Sequence, residues 1–100
     1  MSVGKRIKEV RIDKNMTIRD FATSLSIEGK NIDRGNISRY ENDLISPTFD
    51  FFYCLLKVFN VNLNWLICGN GEIYNDDIER IKRRYKRDRI IKKNVKKSVH

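Results

Sequence analysis

Ten residues from Asp33 to Asn42 read DRGNISRYEN, and their types and spacing suit one kind of chemistry. Asp33 is a good N-cap, and Ile37 and Tyr40 form the inward side of a helix starting there. The remaining side carries Arg34, Asn36 and Arg39, with no side chain at Gly35. An arginine can donate two hydrogen bonds to guanine in a major groove, and an asparagine can make a donor–acceptor pair with adenine. Gly35 would let the backbone come close to such a surface. Arg34 and Arg39 suit phosphate contacts equally well, so these residue types leave base and backbone readings open.

The elements that must position this run are all helical. Val3, Ile7 and Val10 recur at helical spacing among Lys5, Arg6, Lys8 and Arg11, which predicts an amphipathic first helix ended by Asn15 and Met16. Thr17, three residues before Asp20, gives a capping-box-like start to a short second helix through Phe21, Ala22 and Leu25. Ala22 is small enough for a steep helix crossing. Ser26 to Ile32, with Gly29, reads as a turn or loop before the Asp33–Asn42 helix. Ser46-Pro47 predicts the start of a fourth helix, whose wide apolar face runs through Phe49, Phe52, Leu55, Leu56 and Phe59. Leu63 to Ile67 fits a fifth helix ended by Gly69 and Gly71. Ile78, Ile81 and Tyr85 support a sixth, from Asp77 to about Ile91. No strand-like alternation persists, so the fold class is all-α.

Composition points to a polyanionic partner, with a formal net charge of +8 and a pI of about 9.7. An AT-rich genome also raises Lys, Asn and Ile, so charge alone does not decide. The charge is unevenly placed. Residues 78–100 hold eleven Lys and Arg against Glu79 and Asp88, whereas residues 1–77 hold ten basic and eleven acidic side chains. This divides the chain into a domain over 1–75 and a basic helical tail over 76–100. Arg80, Arg83, Arg84, Lys86 and Arg87, with Lys82 and Arg89, are the natural source of attraction to DNA. A solvated, solubilising helix and a dimer seam along Ile78, Ile81 and Tyr85 are the other readings of the tail.

Other chemistry finds little support. Cys54 and Cys68 lie in apolar stretches and read as reduced core or near-core thiols, with a structural disulfide as the lesser alternative. His100 is terminal and alone, and no metal set, cofactor motif, small-molecule site or catalytic pairing is visible; the expectation is a non-enzyme without metal or cofactor. Residues 1–16 are charged throughout, unlike a signal peptide, and no run approaches the ~20 apolar residues of a membrane span. A cytoplasmic protein without a membrane partner is expected. The aromatics follow helical periodicity and read as core rather than as stacking platforms, with Phe51 and Tyr53 the best candidates for surface or interface.

The segments GKRIKEVR at 4–11, MTIRDFA at 16–22, NISRYEN at 36–42 and SPTFDFFYCLLKVFNVNLNWLICGNGE at 46–72, in this order, resemble the phage repressor and Cro class of helix-turn-helix regulators, also called XRE-like. The resemblance covers roughly residues 3–74. It implies a five-helix lambda-repressor-like DNA-binding domain, encoded by a bacterium or phage. It further implies a homodimeric repressor reading a pseudo-palindromic operator on double-stranded DNA. Arg34, Gly35, Asn36 and Arg39 match the positions that meet base edges in this class. Thr17, Arg19, Ser38 and Asn42 fall near positions that touch phosphates. Arg11 and Glu41 match a pair joining the first and third helices, the alternative being two independent solvated charges. Dimer contact is expected in Leu63–Gly71 or the tail. Phage repressor, restriction–modification controller, antitoxin and fragment of a longer repressor all remain open, as does an interaction module of the same fold without specific DNA binding.

Three departures stand out. Ile18 replaces the usual Gln at the start of the second helix. Ser26 replaces the usual Gly of the tight turn, and about five residues near Glu28–Ile32 look inserted; Lys30 there is either a phosphate contact or part of a solvated loop. The connection at Asp43–Ser46 offers Leu44 and Ile45 in place of basic residues.

Overall fold

The computed structural model describes residues 1–76, so the expected sixth helix and the tail residues Arg80, Arg83, Arg84, Lys86 and Arg87 lie outside it. Five helices follow one another: α1 (Val3–Asp13), α2 (Ile18–Leu25), α3 (Arg34–Glu41), α4 (Phe49–Phe59) and α5 (Leu63–Cys68). Each begins at a side-chain cap. The oxygens of Ser2, Thr17, Asp33, Thr48 and Asn62 each accept a backbone N–H of the first turn, satisfying a donor the helix cannot pair itself. Pro47, expected at the first turn of α4, stands just outside it. The cap needs extended backbone and a side-chain oxygen, and Thr48 (φ −81°, ψ 163°) supplies both.

One core joins all five helices. Ile7 and Val10 come from α1, Phe21, Ala22 and Leu25 from α2, Ile37 and Tyr40 from α3, Phe51, Cys54 and Leu55 from α4, and Leu66 from α5. Val61 joins them from the α4–α5 turn. Each large apolar side chain fully removed from water stabilises the fold by about 1.5–3 kcal/mol before conformational entropy is set against it. α1 packs on α3 and α5, while α2 packs on α3 and α4, so α3 is held from both sides.

The face of α4 differs from expectation. Phe51 is fully buried and tilts against Tyr40 at 4.8 Å between ring centroids, whereas Phe49 is 80 % exposed. Nearly every residue of α4 is apolar, so its own pattern does not choose a phase; the position of Tyr40 does. Cys54 is buried as expected, but Cys68, at the open end of α5, is exposed; both are free thiols. Burial raises the Cys54 thiol above its ordinary pKa.

A short return closes the described domain. Tyr74 bridges Val61 in antiparallel fashion, and the N–H groups of Asn62 and Asn75 donate to the carbonyls of Ile73 and Asn60. The Tyr74 hydroxyl donates to Asp13 at 2.6 Å, and the Lys14 ammonium lies 4.3 Å from the Tyr74 ring centroid. Burial and the Asp13 carboxylate together push the Tyr74 phenol well above its ordinary range.

The N-terminus of α1 has a second cap, supplied from afar. The Gly4 N–H donates to Asp43 Oδ1 at 3.0 Å, just past the end of α3. The Ser2 hydroxyl and this N–H hold the Asp43 carboxyl below the ordinary carboxylate range. A lowered folded-state value means the contribution is present above the unfolded pKa and is lost as pH falls through the folded one. Thermal melts from neutral to acid pH should therefore show a smaller acid-side loss for Asp43→Asn than for the unaltered protein; parallel curves would remove Asp43 from the acid response.

Candidate nucleic-acid interface

The α2–α3 unit is built outward from its buried side. Ala22, only slightly exposed, lies in the core beneath the connection to α3. The Ser26 hydroxyl donates to the Ala22 carbonyl at 2.8 Å and accepts the Ile32 N–H at 3.0 Å. One side chain thus ties both ends of the inserted segment to the end of α2. Within it, Glu28 (φ +53°) and Gly29 (φ +75°) turn through the left-handed region. The insertion is not simply a solvated loop. Ile27 and Ile32 pack on the core, and Tyr53 of α4 donates its hydroxyl to Glu28 Oε2 at 2.7 Å. That carboxylate holds the Tyr53 phenol above its ordinary pKa. The Lys30 ammonium lies 5.0 Å from the Tyr53 ring centroid, a cation–π contact that sets it against α4.

From this anchored segment α3 emerges with Asp33 Oδ2 accepting the Asn36 N–H at 3.1 Å. Arg34 and Arg39 are exposed, and Gly35 and Asn36 are half-buried. Arg39 Nη1 donates to Asn36 Oδ1 at 2.9 Å, so two of the expected readers are already oriented by each other. Their spacing of three residues, one helical turn, is what allows this. The pair leaves the Asn36 amide protons and the other guanidinium N–H groups directed to acceptors elsewhere. A Cβ on Gly35 would lie 3.0 Å from Asp33 Oδ2 and 3.5 Å from Arg39 Nη1, so glycine keeps room for the cap and for the arginine.

Arg19, Thr23, Asn31 and Arg34 line a shallow groove between α2 and α3. Thr17 sits at the head of α2, its Oγ1 accepting the Asp20 N–H at 3.1 Å. Its hydroxyl proton is left for another acceptor. Ser38 is half-buried on α3, and its carbonyl accepts the side-chain amide of Asn42 at 2.8 Å. Asn42 therefore closes the helix it ends. Lys30, held against Tyr53, lines a second groove together with Asp33 and Asn36.

Behind the exposed face, Arg11 and Glu41 form a two-point ion pair, Nε to Oε2 at 2.8 Å and Nη2 to Oε1 at 2.9 Å. Arg11 Nη1 also donates to the Met16 carbonyl at 3.0 Å. One guanidinium thereby fastens α1 to the end of α3 and to the turn preceding α2. Donating to the Glu41 carboxylate raises the Arg11 pKa above its ordinary value. Sequence reasoning missed three further positioning residues. Asp43 caps α1, Tyr53 holds the insertion, and Arg6 donates to the Leu66 and Ile67 carbonyls at 3.1 and 3.4 Å, capping the end of α5. All three act on residues at least 25 positions away, so no local spacing announces them.

Comparison with known proteins agrees with this arrangement. Residues 4–72 match the family model described as "Helix-turn-helix domain". The HTH-type transcriptional regulator ImmR of Bacillus subtilis (strain 168) is 36 % identical over 73 residues, covering 73 % of this chain and 53 % of that protein. The chain thus spans about half the length of the curated relative it matches. No solved structure matches the chain. With all five helices inside the matched span but for Val3, the first residue of α1, the chain belongs to the helix-turn-helix family, in its XRE-like repressor and Cro branch.

Proposed function

We propose that this chain is a sequence-specific regulator of transcription that binds double-stranded DNA through α3 in the major groove, as a homodimeric repressor on a pseudo-palindromic operator. The observation that carries the reading is the outer side of α3. It offers Arg34, Arg39 and the amide of Asn36 on a helix whose other side is locked by Ile37, Tyr40 and the Glu41–Arg11 pair. Arg39 and Asn36 supply donors for base edges. Thr17, Arg19, Ser38 and the N–H groups at the starts of α2 and α3 supply phosphate contacts that set the helix in register. The relative's printed name, a transcriptional regulator, supports the same class.

Homodimerisation is supported by apolar surface beside α3. Leu44 is 71 % exposed, and with Ile45, Phe52 and Ile67 it borders a groove between the α3–α4 connection and α5. Ile67 belongs to the segment in which the sequence led us to expect the contact. A two-fold axis there would pair two reading helices about one DNA turn, ~34 Å, apart.

The test starts with selection of bound sequences from random duplexes at near-physiological salt, which yields the operator and its symmetry. On that operator, Arg39→Ala and Asn36→Ala are each expected to lose about 1–3 kcal/mol of binding, with little change on a scrambled duplex. Fluorescence anisotropy measures both. If neither substitution alters affinity for any duplex, base reading by α3 is wrong and an interaction module on the same fold takes its place.

A further inference from the structure

Two grooves meet at the head of α3, and one side chain common to both has no structural task. Arg34 lines the first groove and Asn36 the second, while Asn31, Ile32 and Asp33 line both. Ile32 packs on the core, and Asp33 is taken up in capping α3. Asn31 remains. It is exposed, and among the described residues its amide makes no hydrogen bond.

The residues around Asn31 hold its backbone in place. On one side the Lys30 N–H donates to the Ile27 carbonyl at 2.8 Å, and on the other the Ile32 N–H donates to the Ser26 hydroxyl at 3.0 Å. Both charged side chains of the insertion are drawn onto one residue of α4. Glu28 accepts the Tyr53 hydroxyl at 2.7 Å, and the Lys30 ammonium lies over the Tyr53 ring. Glu28 does this with φ at +53°, a left-handed conformation that a residue with a side chain keeps only where its surroundings enforce it. A connection needs only length to join two helices. A contact residue gains from restraint, because ordering a loose loop on binding costs affinity.

The surroundings also favour a base edge over a phosphate as the group Asn31 meets. Asp33 and Asp50 both line the second groove, and their carboxylates repel a phosphate. A base edge carries donors and acceptors without net charge, and an asparagine amide matches adenine with one of each.

We propose that Asn31 is a further base-reading residue, pairing with an adenine in the major groove beside the bases met by Asn36 and Arg39, and that Tyr53 acts through the insertion as its positioning residue. The proposal rests on the reading of α3 as the base-contacting helix, which brings the duplex to both grooves. The insertion thereby widens the stretch of sequence that each half-site specifies.

The experiment repeats the selection from random duplexes with the full chain carrying N31A, and then measures operator affinity by anisotropy for N31A, Y53F and the double variant. The unaltered chain should enrich an A·T pair that N31A no longer selects, at a position distinct from those relaxed by Asn36→Ala and Arg39→Ala. N31A should lose about tenfold in affinity for the operator and nothing on a scrambled duplex. Its melting temperature should be unchanged, because the side chain is exposed and makes no hydrogen bond. Y53F removes the hydroxyl and keeps the ring beneath Lys30, and it should lose roughly threefold on the operator alone. In the double variant Y53F should add nothing to N31A, since a positioning residue acts only through the contact it positions. Replacing the selected adenine with 7-deazaadenine removes the N7 acceptor, and should weaken the unaltered chain but not N31A. The inference is overturned if N31A selects the same sequence as the unaltered chain, or if it weakens all duplexes alike, which would make Asn31 a backbone contact. Additive losses in the double variant overturn the role given to Tyr53. Asn36→Ala and Arg39→Ala on the same duplexes keep the two ideas apart. If they lose discrimination and N31A does not, only the contact from the insertion fails; if they keep it, or no sequence is enriched at all, the reading of α3 fails and the proposal with it.

Discussion

Replacing Glu41 with alanine is expected to destabilise the protein by about 3 kcal/mol, the low end of the range for removing one partner of a buried ion pair. The Glu41 side chain is only 5 % exposed and that of Arg11 14 %, so truncation strands a guanidinium where little water reaches it. The low end applies because Arg11 keeps its bond to the Met16 carbonyl and a sliver of solvent. For a domain of this size the loss is a drop in Tm on the order of 15 °C. The comparison variant is the double substitution Arg11→Met with Glu41→Leu. Two apolar side chains of similar volume remove the stranded charge, so most of the stability should return. What the double variant should not restore is operator affinity. The two-point geometry of the guanidinium sets the angle of α3 against α1, and flexible apolar side chains do not reproduce it. Urea denaturation gives the first measurement and anisotropy on the selected operator the second. A loss under about 1 kcal/mol for Glu41→Ala would class the pair with ordinary surface bridges.

Gly4→Ala has the second large effect, and its sign runs against helix propensity. In an exposed helix, alanine in place of glycine gains up to about 1 kcal/mol. Here the added Cβ would press into the Tyr40 carbonyl, stand 2.8 Å from the Glu41 carbonyl and crowd Asp43 Oδ1. Two of these atoms are backbone, so α1 and the end of α3 must separate. The expected net loss is about 2–3 kcal/mol, the usual scale of overpacking. The Asp43 cap on the Gly4 N–H is disturbed with it. Because the displaced backbone is the last turn of α3, operator affinity should fall more than affinity for a scrambled duplex. Gly29→Ala is the control. Nothing lies within 4 Å of a Cβ there, and the only cost is a left-handed φ of +75°, roughly 1–2 kcal/mol. Amide chemical shifts of residues 37–43 should move in Gly4→Ala and stay in place in Gly29→Ala. A Gly4→Ala protein as stable as the unaltered one would mean that α1 and α3 do not approach this closely.

These two positions differ in how far the sequence announced them. Arg11 and Glu41 were named beforehand from the resemblance to repressors, although thirty residues apart. Gly4 drew no attention, because nothing near it in the chain needs a glycine. The same contrast runs through the candidate interface. Asp33 as a cap and Arg39 one turn beyond Asn36 are relations within a single helix, and they could be read from spacing. The insertion at Glu28–Ile32 was visible as extra length, but its attachment to Tyr53 was not.

By itself, the sequence determined five helices, their order, the Thr17 and Asp33 caps and the polar run at the start of α3. Caps and helical periodicity are local, carried by residues three or four apart, so composition and spacing are enough. Tertiary structure alone decided the phase of α4, where Phe51 turns inward against Tyr40 and Phe49 outward to solvent. It also decided the double capping of α1 by Asp43, the capping of α5 by Arg6, and the return by which Tyr74 closes onto Asp13 and Lys14. Each of these joins residues far apart in the chain, and α4 is apolar on almost every side. Which surface is buried, and which distant group satisfies a helix end, depends on where the other helices come to rest.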